Sequence, residues 1–262
     1  MKKAKLSANA KTALTSALYP LFSLALIVAL WAMTAARTGN DLLIPSVGST
    51  FDELGVLLSK KETYVDVAAT LLRAARGFAL SFAVALLLAV VAAFLRPVAK
   101  LLSPVIAVMR STPTMSVILL SLIWFNENLQ FAPVLVTVLI IFPLLYSSFY
   151  TALTGVDKKL TDMAKVYKVP WLTRLVKLYV PSMLPTVFSS VRSTLSLTVK
   201  LTIAAEVLAQ TKNSMGMDMQ LANLYLDTPT LIAWTLIAIV LGAALEAIVY
   251  AVGRLCMRWK NA

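Results

Sequence analysis

Apolar residues run in long blocks along this chain, and short polar stretches separate them. Crossing the roughly 30 Å hydrocarbon layer of a bilayer takes a helix of about 20 mostly apolar residues. Six stretches fit that template, near Leu18–Ala36, Val67–Leu95, Leu101–Phe125, Ala132–Leu153, Pro185–Ala209 and Thr230–Val252. The pattern predicts an all-α integral membrane protein with six transmembrane helices. Between the first two spans, Asn40 to Tyr64 is polar and punctuated by Pro45 and Gly48, then turns amphipathic. Phe51, Leu54, Val56 and Leu58 there predict a short helix lying along the membrane surface. The predicted division is 1–66, an N-terminal transmembrane helix with an external amphipathic segment, and 67–262, a transmembrane core with a cytoplasmic loop at 154–185.

Composition agrees with a lipid environment. Of the 262 residues, 60% are hydrophobic and 14% charged, and the mean hydropathy is +0.83, outside the range of soluble domains. The net charge of +12 suggests nucleic acid only until its placement is considered. Basic residues gather at span ends: Lys2, Lys3, Lys5 and Lys11, then Arg96 and Lys100, then the loop after the fourth span, then Arg254, Arg258 and Lys260. Acids such as Asp41, Asp52, Glu53, Glu62, Asp66, Glu127, Asp218 and Asp227 fall on the other side. The asymmetry predicts both termini in the cytoplasm, membrane lipid as a partner, and no nucleic acid. A cleaved signal peptide is the alternative for the first span, with Ala35 and Ala36 beyond it; the orientation of the other five is unchanged by it.

Chemistry is sparse. The single Cys256 and the absence of histidine remove an internal disulfide framework and the usual zinc and haem ligand sets, so no metal or cofactor is expected in this chain. No glycine precedes a lysine, so the phosphate loop G-x-x-x-x-G-K-[ST] is missing, as is G-x-G-x-x-G. Any ATP and its magnesium are expected on another polypeptide.

Residues 154–181 are the most informative polar stretch. Lys158, Lys159, Lys165, Lys168, Arg174 and Lys177 face two acids, Asp157 and Asp162. Asp157 and Asp162 suit a first helical turn, Pro170 suits the start of a new helix, and Pro181 and Pro185 mark re-entry into the membrane. Two short helices meeting near Lys168 are predicted, with Val166, Trp171, Leu172 and Leu175 as apolar contacts.

The loop resembles that of the membrane subunit of an ATP-binding-cassette importer, with its E-A-A, three residues, G, nine residues, I-x-L-P pattern. Asp162, Met163 and Ala164 occupy the E-A-A positions, Lys168 the glycine, and Leu178 to Pro181 the close. Lys168 departs from the pattern, because glycine enters a left-handed turn freely and lysine does not. TLLRAARGFAL from Thr70, MRSTPTMSVILLSLIWF from Met109, and the stretch from Leu226 to Trp259 resemble the nitrate, sulfonate and taurine permease branch. The resemblance implies an N-terminal helix followed by a five-helix type I importer core, working as a homodimer in the inner membrane. It also implies cytosolic ATPases and an extracytoplasmic solute-binding protein as partners. Asp162, Met163, Ala164, Lys165, Lys168, Pro170 and Trp171 would then form the element gripped by the ATPase, and the cargo would be a small anion or, within the same class, a thiamine precursor.

Polar groups inside spans are costly and invite functional hypotheses. Ser189, Ser193, Ser196 and Lys200 fall on one face of the fifth span, either lining a solute path that attracts an anion or easing close helix packing with Lys200 snorkelling outward. Arg110, three residues before Pro113, is a further pathway candidate, since that proline can kink the helix into a gate. Arg73 and Arg76 read as interfacial anchors. Glu206 faces away from Lys200 and is expected to meet a binding protein or a neighbouring helix, and Glu246 has Arg192 or Arg110 as candidate partners. The competing readings are a membrane-embedded hydrolase using Ser196 and Lys200 as a dyad, and an ion-coupled carrier working alone.

Overall fold

The computed structural model describes residues 2–125 and 127–257. The calls on Arg258, Trp259 and Lys260 lie outside the described residues, as do the side chains of Lys2, Lys3, Lys5 and Lys11. Among the described residues every regular element is helical, as the apolar blocks predict. Chain contacts divide the molecule into residues 1–60 with 222–234, and residues 61–221 with 235–262.

In the first unit, α1 (Lys2–Thr38) contains an apolar window at Leu21–Thr38 whose large side chains, Phe22, Leu24, Ile27 and Leu30 among them, are exposed. An apolar, exposed helical surface of this length fits a lipid environment. The indole N–H of Trp31 donates to the carbonyl of Pro45 at 3.0 Å, tying the polar segment back to the helix. The predicted surface helix is α2 (Val47–Ser59), capped at its start by Ser46, whose hydroxyl accepts from the amide of Ser49.

The second unit is built around one central helix. It comprises α3 (Lys61–Phe94), α4 (Arg96–Ser111), α5 (Thr114–Trp124), α6 (Ala132–Thr154), α7 (Lys158–Val166), α8 (Trp171–Arg174), a π-helical turn (Leu175–Tyr179) and α9 (Val180–Ala209). It also takes in most of α10 (Met215–Leu224) and of α11 (Thr228–Cys256). Helix α6 packs against α3 and α9. Small side chains on α3 make this close: Ala74, Gly77, Ser81, Ala85, Ala89 and Ala92 recur at three- and four-residue spacing and are all buried. A Cβ on Gly77 would stand 2.7 Å from that of Thr137, so only glycine lets the helices approach this far. Into the space go Ile141, Leu145, Phe149 and Leu153 of α6, joined by Met183 and Leu201 of α9. Thr137 and Thr202 share a hydrogen bond of 3.1 Å between the same two helices.

One expectation about the spans is revised and a second, their number, is not confirmed. The third span, read as one helix from Leu101 to Phe125, is two: α4 and α5 meet at a bend of 95°. Pro113 has no amide to continue the ladder, and it holds Thr112 in extended geometry with φ −68° and ψ 128°. The predicted kink is a full break. Arg96 and Lys100, placed between the second and third spans, lie on α4. The count of six is also not reached by length and composition. Among the described residues four helices are apolar enough to cross alone, or five with the bent pair taken as one span. Helix α9, at 30 residues, is long enough but carries Ser189, Ser190, Arg192, Ser193, Thr194 and Lys200 in its middle.

Candidate functional site

The loop after α6 folds as two short helices around a tight turn. Asp157 caps α7, its carboxylate accepting from the amide of Lys159 at 2.8 Å. Asp162 is the fifth residue of α7 rather than part of a first turn, and it pairs with Lys165 at 3.0 Å on exposed surface, a contact of little energetic weight. At the far end the amide of Val169 donates to Ala164 and that of Lys168 to Lys165, at 3.0 and 2.9 Å. This pair of bonds is a Schellman closure, which needs a left-handed residue just past the helix. Lys168 supplies it with φ +51°, so the turn keeps the geometry a glycine would adopt, at a backbone cost of about 1 kcal/mol. Pro170 stands one position earlier than expected, at the cap of α8.

Apolar residues on this element point in two directions. Trp171 stacks edge-on against Phe94 with ring centroids 4.4 Å apart, and Tyr179 meets the same ring at 5.3 Å. The guanidinium of Arg174 lies 5.8 Å from the Trp171 ring centre. That cluster ties the loop to the end of α3. Val166 and Leu172, predicted as internal contacts, are instead exposed, together with Met163 and Tyr167. Lys165 and Lys168 are exposed beside them, whereas Ala164 is half-buried. Met163, Val166, Tyr167 and Leu172 thus form an exposed apolar ridge set among lysines, running from α7 across the turn to α8, and exposed apolar patches of this kind mark sites of contact with other proteins or with membranes.

Candidate pathway residues divide. Ser189, Ser193 and Lys200 are exposed on α9, whereas Ser196 is buried. The reason is α11: a Cβ on Gly242 would stand 3.1 Å from the Ser196 hydroxyl. The stripe is thus part open surface and part helix contact, and no hydrogen bond among the described residues joins Ser196 to Lys200. Arg192 pairs with Glu246 at 3.8 Å and lies 5.2 Å from the Tyr250 ring centre. Arg110 is exposed on α4, just before the break.

One buried cluster was not anticipated. Arg73, read as an interfacial anchor, is buried and donates to Glu206 at 2.8 Å and to the carbonyls of Lys212 and Asn213. Glu206 also accepts from the hydroxyl of Thr70 at 2.9 Å and, at 3.4 Å, from the amide of Gly216 at the start of α10. Thr70 in turn accepts from the amide of Met215. Glu206 meets neighbouring helices, one of the two outcomes expected for it. Gly216 is obligatory, since a Cβ there would lie 2.4 Å from that of Glu206. The sequence signal is the i, i+3 pair Thr70 and Arg73 on an otherwise small-residue face.

Beside this cluster a cleft of about 550 Å³ is lined by Lys61, Glu62, Asp66, Lys212, Asn213 and Asp218. Burial, and then the adjacent Asp66, push the Asp218 carboxyl up to about 6. A raised carboxyl favours the folded state while protonated. Its contribution is therefore complete below about pH 4 and lost as pH rises through 6. Between pH 5 and 7.5 the melting temperature is expected to fall, and to fall less in Asp218→Asn; thermal unfolding in detergent across that range measures both slopes.

Apolar helices long enough to cross a bilayer define the class: a multi-pass membrane protein. Residues 84–256 match the profile described as "Binding-protein-dependent transport system inner membrane component". The chain belongs to that family, the inner-membrane permeases of ABC importers. Among relatives, the aliphatic sulfonates transport permease SsuC of Bacillus subtilis is 24% identical over 241 residues, covering 90% of this chain and 86% of that one. An ABC transporter permease protein of Brucella abortus is 26% identical over 92% of this chain and 95% of its own. The formylaminopyrimidine transport permease ThiX of Halalkalibacterium halodurans is 24% identical over 65% of this chain and 67% of its own. Among solved structures, the inward-facing MetNI methionine ABC transporter contains a chain of the same fold, with a TM-score of 0.58 at 15% identity, covering 73% of this chain and 93% of that one. Family membership implies a separate ATPase and a solute-binding protein as partners.

Proposed function

We propose that this chain forms the membrane path for a small organic anion of the sulfonate or taurine kind, as one of two identical copies in the inner membrane with both termini in the cytoplasm. The observation that carries the reading is the exposed ridge of Met163, Val166, Tyr167 and Leu172 among lysines. It is apolar enough to bury against a partner and too cationic to lie in hydrocarbon. An ATPase seated there pushes on α7, and the Trp171–Phe94 contact passes the displacement to α3. Support for an anion comes from the exposed Lys200 and Arg110 and from the name of the Bacillus subtilis relative. Ser189, Ser193 and Lys200 line the path in this reading, with Ser196 a packing residue.

The test is reconstitution. Proteoliposomes holding this chain with its ATPase and a binding protein are expected to accumulate an alkanesulfonate only when ATP is supplied on the ATPase side. Accumulation without the ATPase would select a carrier acting alone. Uptake of a formylaminopyrimidine in preference to sulfonates would move the substrate to the class named for ThiX.

A further inference from the structure

Helix α4 carries chemistry that the proposed ATPase contact on α7 does not use. Lys100, Ser103, Ala107 and Arg110 recur at i, i+3, i+7 and i+10, which at about 100° per residue confines them to one sector of roughly 80°. Facing them on α6 are Tyr146, Ser147 and Tyr150. Together these side chains line a cleft of about 520 Å³, within the range that holds small organic ligands. The two tyrosine rings stack at 5.9 Å with an interplanar angle of 11°.

The charge in this cleft is unbalanced. Arg73 and Arg192 each have a glutamate partner. No carboxylate lines the α4–α6 cleft, and among the described residues neither Lys100 nor Arg110 enters an ion pair. Two unmatched cations beside serine and tyrosine hydroxyls attract an oxyanion. Ten residues place Lys100 and Arg110 about 15 Å apart along the helix. One small anion therefore meets them in turn.

We propose that the cleft is a two-station relay for an anionic solute. Arg110 takes the oxyanion headgroup beside the break at Thr112–Pro113, and Lys100 receives it on the way to the loop-side end of α4. This rests on the importer reading above and assigns to it a binding site between α4 and α6.

Charge-selective labelling tests the relay apart from transport. In a Cys256→Ser background, Ala107→Cys places a reporter thiol in the cleft, and Ser103→Cys provides a second should the first fail to fold. The assembled transporter is treated with a sulfonate-bearing or a trimethylammonium-bearing methanethiosulfonate. Relative to a free small thiol, the anionic reagent is expected to be favoured roughly tenfold. Arg110→Gln and Lys100→Gln should each reduce that preference, and millimolar ethanesulfonate should slow labelling. Equal rates for the two reagents, or no protection by ethanesulfonate, would overturn the relay. Protection seen only in phosphatidylglycerol nanodiscs, and not in phosphatidylcholine, would assign the cations to lipid headgroups and overturn it as well. Anion-selective labelling in a protein that imports without an ATPase would leave the relay standing and defeat the importer reading.

Discussion

Replacing Arg73 with alanine is expected to cost about 3 to 5 kcal/mol of stability, because it leaves the fully buried Glu206 carboxylate without its cation. The loss has a second part. The same guanidinium holds the carbonyls of Lys212 and Asn213, so the turn between α9 and α10 loses its anchor with the charge. Thermal unfolding in detergent should show a fall of roughly 10 °C in melting temperature. Converting both partners, Arg73→Met with Glu206→Met, is expected to recover only the charge part of it, since a matched apolar pair leaves no stranded charge but does not restore the bonds to Lys212, Asn213, Thr70 and Gly216. A single variant melting within a degree or two of the parent would mean that the pair carries no structural weight.

If the loop after α6 seats the ATPase as proposed, Met163→Glu is expected to weaken that association about 30-fold, corresponding to roughly 2 kcal/mol at the centre of an interface. Met163 is more than half exposed and its side chain makes no ring or polar contact among the described residues, so the melting temperature should stay put while ATP-driven uptake falls at least tenfold. Titration of the solubilised chain with its ATPase gives the affinity directly. Unaltered binding by this variant would remove α7 from the interface. Trp171→Ala makes a useful contrast: its ring packs on Phe94, so it should lower stability and transmission together.

Local features of this molecule were legible in the sequence, and long-range ones were not. Proline marked the break before α5 and the cap of α8, because its missing amide acts at its own position whatever surrounds it. Apolar runs located α1, α3, α6 and α11 for the same local reason. The severity of the bend at Pro113 was not readable, since a proline kink and a full turn share one sequence and packing chooses between them. Arg73 and Glu206 lie 133 residues apart, and each alone looks like an interfacial charge. Only the approach of α3 to α9 makes them partners. Lys168 illustrates the opposite error. Its side chain argued against the left-handed turn, yet two hydrogen bonds closing α7 hold it there against a local cost of about 1 kcal/mol.

The polarity of α9 has a consequence for how the protein is made. A helix bearing Arg192 and Lys200 near its middle gains little by leaving the translocon for lipid unaided, each such charge opposing insertion by about 2.5 to 3.5 kcal/mol. Its partner surface on α6, from Phe149 and Ile141 to Thr137, is synthesised earlier and is already waiting. Chain order therefore favours insertion: α6, apolar enough to cross alone, precedes α9, whose packing surface is already made when its own charges reach the membrane.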